Sequence, residues 1–248
     1  MTVRTLLAAC VAVPGLLGLA SAQQPPPQPA APPAAAPADD AYVPYAVHDI
    51  EQVLGSRPGA DGKIQHYVDI QLVKSIYDDL ARHAQNYPVD LRSDAERERA
   101  RNDAGGLSVI MESVTVAPDA PTELLLLAAR VHALAHNLDV PQAAGRATAS
   151  FERILAREPD NAEANFHFGA FLAASDQRPK DAAACLEKAA RAGIDAAWFS
   201  LGMLQLTQGD QEHALQSLET YTARVPSDTR TREMVEGLRS GKLKFKPR

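Results

Sequence analysis

The sequence is poor in cysteine and in basic charge, and each scarcity excludes a class of protein. Only two cysteines occur in 248 residues, too few for a disulfide-stapled scaffold or for a zinc site built from thiolates. Lysine and arginine number 25 against 31 aspartates and glutamates, for a formal charge of −6. A general nucleic-acid-binding face needs an excess of basic residues to displace the counterions of the phosphates. We therefore expect no nucleic-acid partner.

Long hydrophobic runs are scarce as well. Residues 6–19 form an apolar stretch, which is shorter than the roughly 20 residues needed to span a bilayer. The stretch follows Arg4 and precedes three small residues that end at Ala22, as in a secretory signal. The pattern predicts a signal peptide over residues 1–22, cleaved after Ala22, and a mature chain with no membrane span. An uncleaved anchor and lipidation at Cys10 are the alternatives.

Proline is concentrated in one segment. Residues 23–40 hold seven prolines among alanines and glutamines, without any apolar periodicity. Proline at this density favours an extended polyproline II conformation. We interpret the segment as a semi-rigid linker that holds the folded part away from another structure. A ligand for a proline-recognition surface is the alternative.

Residues 41–119 are expected to form a helical lead-in. Apolar residues recur three and four positions apart over residues 64–87, which predicts a first amphipathic helix. Ser93 followed by Glu96 is a capping box and predicts the start of a second helix over residues 93–114. Residues 41–62 show only a weak pattern, interrupted by prolines and glycines. The lead-in is therefore predicted to contribute one helical pair.

The strongest signal is an internal repeat. Small, large and proline residues recur in three sets: Ala147, Phe151 and Pro159; Ala182 and Leu186; Ala214, Leu218 and Pro226. The first and third sets are 67 residues apart, and Gly169 and Gly202 are 33 apart. Such periods are typical of helical hairpins that stack in a row, because one hairpin alone cannot bury its apolar face. A small residue is needed where the two helices of a hairpin cross, and the recurring glycines and alanines meet that need.

Residues 198–202, followed by Gly209, Ala214, Leu218 and Pro226, resemble the tetratricopeptide repeat (TPR). The resemblance covers about residues 122–228, with residues 229–239 as a capping helix. It implies an all-α fold in which helix-turn-helix hairpins stack into a right-handed superhelix. We expect a repeat domain over residues 120–241, after the N-terminal helical pair, and a basic tail over residues 242–248.

In proteins of this family, partners usually lie in a concave groove lined by the first helix of each hairpin. The resemblance therefore implies these groove candidates: Leu125, His132, Glu163, Phe166, His167, Phe199, Met203 and Leu206. The lysine, arginine and asparagine set with which some members clamp a C-terminal carboxylate is not found there, so that activity is not implied. Either a partner segment or the chain's own lead-in helices would cover this apolar groove. We favour the lead-in helices, because the first of them must also bury its stripe.

Few residues indicate chemistry. His132 and His136 lie four apart on one predicted helix and could share a zinc ion. The residue after His132 is Ala133, where a zinc protease has glutamate, and the sequence places no third ligand nearby. No local feature lowers the pKa of Cys185, which is predicted to be a structural thiol. We expect neither an enzyme nor a cofactor.

The sequence predicts an exported, non-enzymatic interaction scaffold, periplasmic in a Gram-negative bacterium, that binds another protein or a peptide segment. One alternative is a structural or regulatory subunit of an envelope enzyme or assembly complex, which would use the charged residues 96–101 as its interface. Another is a hydrolase or metal protein built on His132 and His136.

Overall fold

The computed structural model describes residues 42–175 and 178–245. The predicted signal peptide, the proline-rich linker and the last three residues of the basic tail lie outside the described residues. Within them, a short 3-10 helix (Ile50–Val53) and a hairpin of β1 (Leu54–Pro58) and β2 (Ile64–Val68) precede nine α-helices. The helices are α1 (Ile70–Ala84), α2 (Asp94–Val114), α3 (Thr122–Asn137), α4 (Ala143–Arg157), α5 (Ala162–Ser175), α6 (Pro179–Arg191), α7 (Asp195–Thr207), α8 (Gln211–Arg224) and α9 (Thr229–Arg239).

The β-hairpin corrects the expected start of the first helix. Residues 64–68 belong to β2, which pairs antiparallel with β1 so that Leu54 lies opposite Val68. Between the strands, Gly62 adopts φ 74° and allows the chain to reverse. Ile64 and Tyr67 are exposed, so the hairpin has no buried face that would impose a clear alternation of apolar and polar residues. Helix α1 begins only after Asp69, whose side chain caps it by accepting two backbone N–H groups.

The second predicted helix of the lead-in agrees with the sequence prediction. The Ser93 side chain accepts the N–H of Glu96, and the Glu96 carboxylate accepts the N–H of Ser93, so the capping box at the start of α2 is confirmed. Helices α1 and α2 both pack on α3 and extend the stack by one helical pair. Residues 42–49 lie across this pair, and the Tyr45 hydroxyl donates to the buried Asp103 at 2.8 Å.

The repeat domain is a row of hairpins, α3–α4, α5–α6 and α7–α8, with α9 packed on the last of them. The small residues predicted at the helix crossings lie there. A Cβ atom at Gly169 would be 2.8 Å from Leu186 Cγ, and one at Gly202 would be 2.6 Å from Leu218 Cγ. The TPR-like helical repeat is confirmed by this packing, and the β-hairpin is its one addition to an all-α fold within the described residues.

No helix in the described part of the chain combines the length and the apolar character needed to cross a membrane.

Candidate binding groove

One face of the stack encloses a concave groove with a volume of about 930 Å³. Its walls come mainly from α3, α5 and α7, the first helix of each hairpin. The end of α1 and the start of α9 border its two extremities. Aromatic side chains line it: Tyr77, Tyr87, Phe151, Phe166, Phe171, Phe199 and Tyr221.

Helices α5 and α7 expose aromatic residues to the groove because they are apolar on two faces. Phe168 on α5 and Leu201 on α7 are 3% exposed and belong to the core between the hairpins. Phe166 and Phe199, on the other faces, are only partly buried. A helix that is apolar all round is normally buried on all sides. The second apolar face of these two helices is therefore a surface on which another chain segment can pack.

The structure places four of the eight predicted groove residues in the groove lining and a fifth, Glu163, next to one of them. Phe166, His167, Phe199 and Met203 line the groove. Glu163 lies one turn before His167, with 3.3 Å between its Oε2 and His167 Nε2.

The other three predicted groove residues lie in the core, and for these the prediction is wrong. Leu125 is fully buried in a cluster with residues of α4 and α5. His132 is 1% exposed and contacts α2, and Leu206 is 2% exposed beneath α9. The position of a residue within its repeat could not predict this burial, because it depends on the neighbouring elements: α4 and α5 cover Leu125, α2 covers His132, and α9 covers Leu206.

The expectation that the lead-in helices fill the groove is also wrong. Helices α1 and α2 bury their apolar faces against α3 and against each other. Only Tyr77 and residues 85–87 of this part reach the groove, at one end of it. The groove is thus open over α5 and α7 in the described structure.

A charged cluster lies in the wall formed by α3 and α5. The Arg130 guanidinium lies over the Tyr77 ring at 4.7 Å from its centroid. Its Nε is buried and has no hydrogen-bond partner among the described residues. The hydrogen bond from His167 lowers the pKa of Glu163, and burial, reinforced by the charge of Arg130, lowers the pKa of His167. The groove therefore offers a cationic group, Arg130, in this wall and a second, Arg230, at the α9 end, among mostly apolar and aromatic groups.

Sequence reasoning missed Arg130, Tyr87 and Phe171 as groove residues. Arg130 and Asn137 are seven positions apart, two turns of one helix face, and both line the groove. That spacing was a usable signal. Tyr87 follows α1 outside any repeat unit, so no repeat position marked it.

The two histidines of α3 do not converge on a shared site. His132 Nδ1 is 2.8 Å from the Ser108 hydroxyl, and burial, with a further contribution from the charge of Arg146, lowers the pKa of His132 to about 4. His136 lines the groove, where its ring meets Phe171 edge-on at 5.7 Å. Among the residues that the structure describes, no three or more His, Cys, Asp or Glu side chains form a group that could hold a metal ion.

Cys185 is partly buried on α6, and burial raises the pKa of its thiol. A raised pKa reduces the thiolate fraction, which is the nucleophilic form. The environment therefore favours the structural thiol that the sequence predicts.

No family model and no curated protein matches this sequence. A similar solved structure is the crystal structure of MamA, which is 18% identical and has a TM-score of 0.49. The alignment covers 61% of this chain and 85% of that one. The fold is therefore assigned from the packing of the helices themselves: the described chain is a TPR-like helical repeat with an open, aromatic concave groove.

Proposed function

We propose that this protein is a non-enzymatic interaction scaffold of the cell envelope that holds a segment of a partner protein in the concave groove or at its rim. The observation that carries the proposal is the open row of aromatic side chains on α5 and α7, which the helices of the described residues leave uncovered. Burying apolar area is the main favourable term in association, contributing about 25 cal/mol per Å². A partner segment with apolar side chains at helical or extended spacing has the chemistry that this surface accepts.

Substitutions in the groove test the proposal. Phe166→Asp and Phe199→Asp place a charge where a partner would bury apolar area, and each should abolish capture of the partner while the protein stays helical. The measurement is crosslinking of the protein in its native envelope, followed by mass spectrometry of the crosslinked peptides. Circular dichroism of the purified variants reports whether the helices are retained.

Val109→Asp is the matched control. Val109 is 55% exposed on α2, away from the groove, so the same charge there should leave both capture and fold unchanged. The proposal fails if the two groove variants stay helical and keep their crosslinks. It also fails if both variants unfold, since Phe166 and Phe199 would then serve the core.

The cell-envelope location rests on the signal-like residues 1–22, which lie outside the described residues. We expect the mature protein to begin at Gln23 and to be released with the periplasmic fraction. Sequencing the N-terminus of the fractionated native protein checks this. A protein found in the cytosolic fraction with residues 1–22 retained would contradict it.

The alternative is a subunit of an envelope enzyme or assembly complex that contacts its partner through α2. The exposed Arg97 and Glu98 favour it, but Glu96 is buried in the capping box and accepts from Tyr42 at 2.8 Å, so it is not an interface residue. The double variant R97E/E98R would abolish capture under this alternative. Under the scaffold proposal it would have no effect.

A further inference from the structure

We propose that the chain's own proline-rich segment, residues 23–40, docks into the aromatic groove as an intramolecular ligand. The groove bound by this segment is the one described above, defined by the facing sides of α3, α5 and α7. The inference does not require an external partner. If the groove also binds an external partner, the proline-rich segment competes with that partner for the same surface.

The first support is the place where the described chain begins. Tyr42 is held at the end of α1: its ring meets the His83 ring edge-on at 5.8 Å, and the Arg92 guanidinium lies 3.9 Å from its centroid. His83 is two residues before Gln85, and residues 85–87 line one end of the groove. The described chain therefore begins near the end of α1, next to the loop whose residues 85–87 line one end of the groove.

The second support is chemical complementarity. A polyproline II segment recognises grooves lined with aromatic rings, because its rings pack on aromatic faces and little conformational entropy is lost on binding. Tyr87 is 74% exposed at the mouth, and Phe166, Phe171 and Phe199 follow along the groove. A segment rich in proline has few N–H donors but leaves its carbonyls free. Arg130, which is half-buried and lines the groove, supplies a cationic group beside these rings that can accommodate such carbonyls.

The third support is length. Eighteen residues at about 3.1 Å each extend over about 56 Å in the polyproline II conformation. The groove runs from α1 to α9 across four successive helix spacings, or about 40 Å if each is close to 10 Å. The segment is thus long enough to follow the whole groove from its point of attachment.

Covalent attachment makes even a weak contact effective. A ligand tethered by a short connection experiences an effective concentration on the order of millimolar. An external partner must therefore displace the segment from the aromatic surface. Replacing the prolines of the segment should then increase the capture of the partner.

Photocrosslinking within the full chain tests the inference. A benzophenone amino acid is placed at Ala174, an exposed residue of the groove lining on α5, where it leaves the aromatic side chains intact. The control position is Val109 on α2. We expect irradiation at high dilution to join position 174, and not position 109, to residues 23–40 of the same molecule, as read by peptide mass spectrometry.

A second full-length variant keeps the length of the segment but replaces its seven prolines with serine. We expect the yield of the internal crosslink to fall on the order of tenfold, because serine lacks the ring that packs on aromatic faces. Circular dichroism of this variant and of both labelled proteins verifies that the helices are retained.

Three results would overturn the inference: no crosslink from position 174 to residues 23–40, an equal yield from position 109, or a yield that the serine variant does not change. Mixed samples of isotopically labelled and unlabelled protein identify crosslinks between molecules, and these would show a second copy as the occupant instead. If the inference fails in any of these ways while Phe166→Asp still abolishes partner capture, the scaffold proposal stands by itself.

Discussion

At the scale of residues, the polar groups buried between α2, α3 and α4 link the lead-in to the repeat domain. Ser108 on α2 and His132 on α3 share a hydrogen bond, and Arg146 on α4 approaches the same hydroxyl at 3.4 Å. Arg146 also forms an ion pair with Glu112, at 2.7 Å. Because the site is buried and cationic, His132 is held neutral, and its protonation must disrupt this junction.

This environment predicts a loss of stability in mild acid. The unfolded chain protonates His132 near pH 6.5, whereas the folded protein does so only near pH 4. The unfolded state therefore binds more protons in this window, and stability falls as the pH drops from 6.5 towards 4, by about 3 kcal/mol from this residue. Urea unfolding at pH 7 and pH 4.5 should show a larger decrease for the native protein than for His132→Asn. A His132 ring signal that titrates near 6.5 in NMR spectra of the folded protein would contradict this account.

At the scale of elements, each hairpin depends on close approach of its two helices. Gly202 on α7 lies against Leu218 and the Ala214 carbonyl of α8, where a Cβ atom would be 2.6 Å and 3.2 Å from the nearest atoms of these groups. The same arrangement recurs at Gly169, one repeat earlier. The glycines are therefore required by helix packing, although glycine is a poor helix former.

Two glycine substitutions should change stability in opposite directions. Gly202→Ala overfills the crossing of α7 and α8 and should lower the free energy of unfolding by about 1–3 kcal/mol. Gly145→Ala is the matched control, because a Cβ atom there meets nothing within 4 Å on the exposed side of α4. It should raise the free energy of unfolding by up to about 1 kcal/mol through helix propensity. Urea denaturation of both variants measures the change in the free energy of unfolding. Equal changes in the two variants would show that the short distance between the crossing helices is not the reason for glycine at position 202.

At the scale of the whole molecule, the helices form a row in which each mainly contacts its neighbours. The lead-in pair closes one end, and α9 closes the other with Leu238, which is 1% exposed against residues of α7 and α8. Stability in such an array is a sum of terms for single repeats and for the interfaces between neighbours. A destabilising substitution at one end of the row should therefore have only a weak effect on the stability of the helices at the other end.

Truncation of a core leucine at either end tests this locality. Leu238→Ala should cost about 2–5 kcal/mol and should lower hydrogen-exchange protection most in α7, α8 and α9. Leu80→Ala, also 1% exposed but in the core of α1 and α2, is the mirror control and should affect α1 to α3. Hydrogen exchange followed by mass spectrometry gives the two protection profiles. Uniform loss along the chain in both variants would mean that the molecule unfolds as one unit.

The sequence by itself determined the repeat, its helix crossings and the start of α2. These features depend on residues near one another in the chain: Gly169 with Ala182 and Leu186, Gly202 with Ala214, and Ser93 with Glu96. Their spacing is a direct consequence of helix geometry and of the capping hydrogen bonds. They could therefore be predicted without knowledge of how the hairpins pack.

Only the tertiary structure decided which apolar faces are covered. Phe166 and Leu125 are both apolar residues on the first helix of a hairpin, yet Phe166 lines the groove and Leu125 lies in the core. The difference comes from neighbours distant in sequence, since Leu125 is covered by residues of α4 and α5, and the groove face of α5 by none of the described helices. The same holds for the β-hairpin, whose strands lack a buried face and so lack the pattern that burial imposes on a sequence.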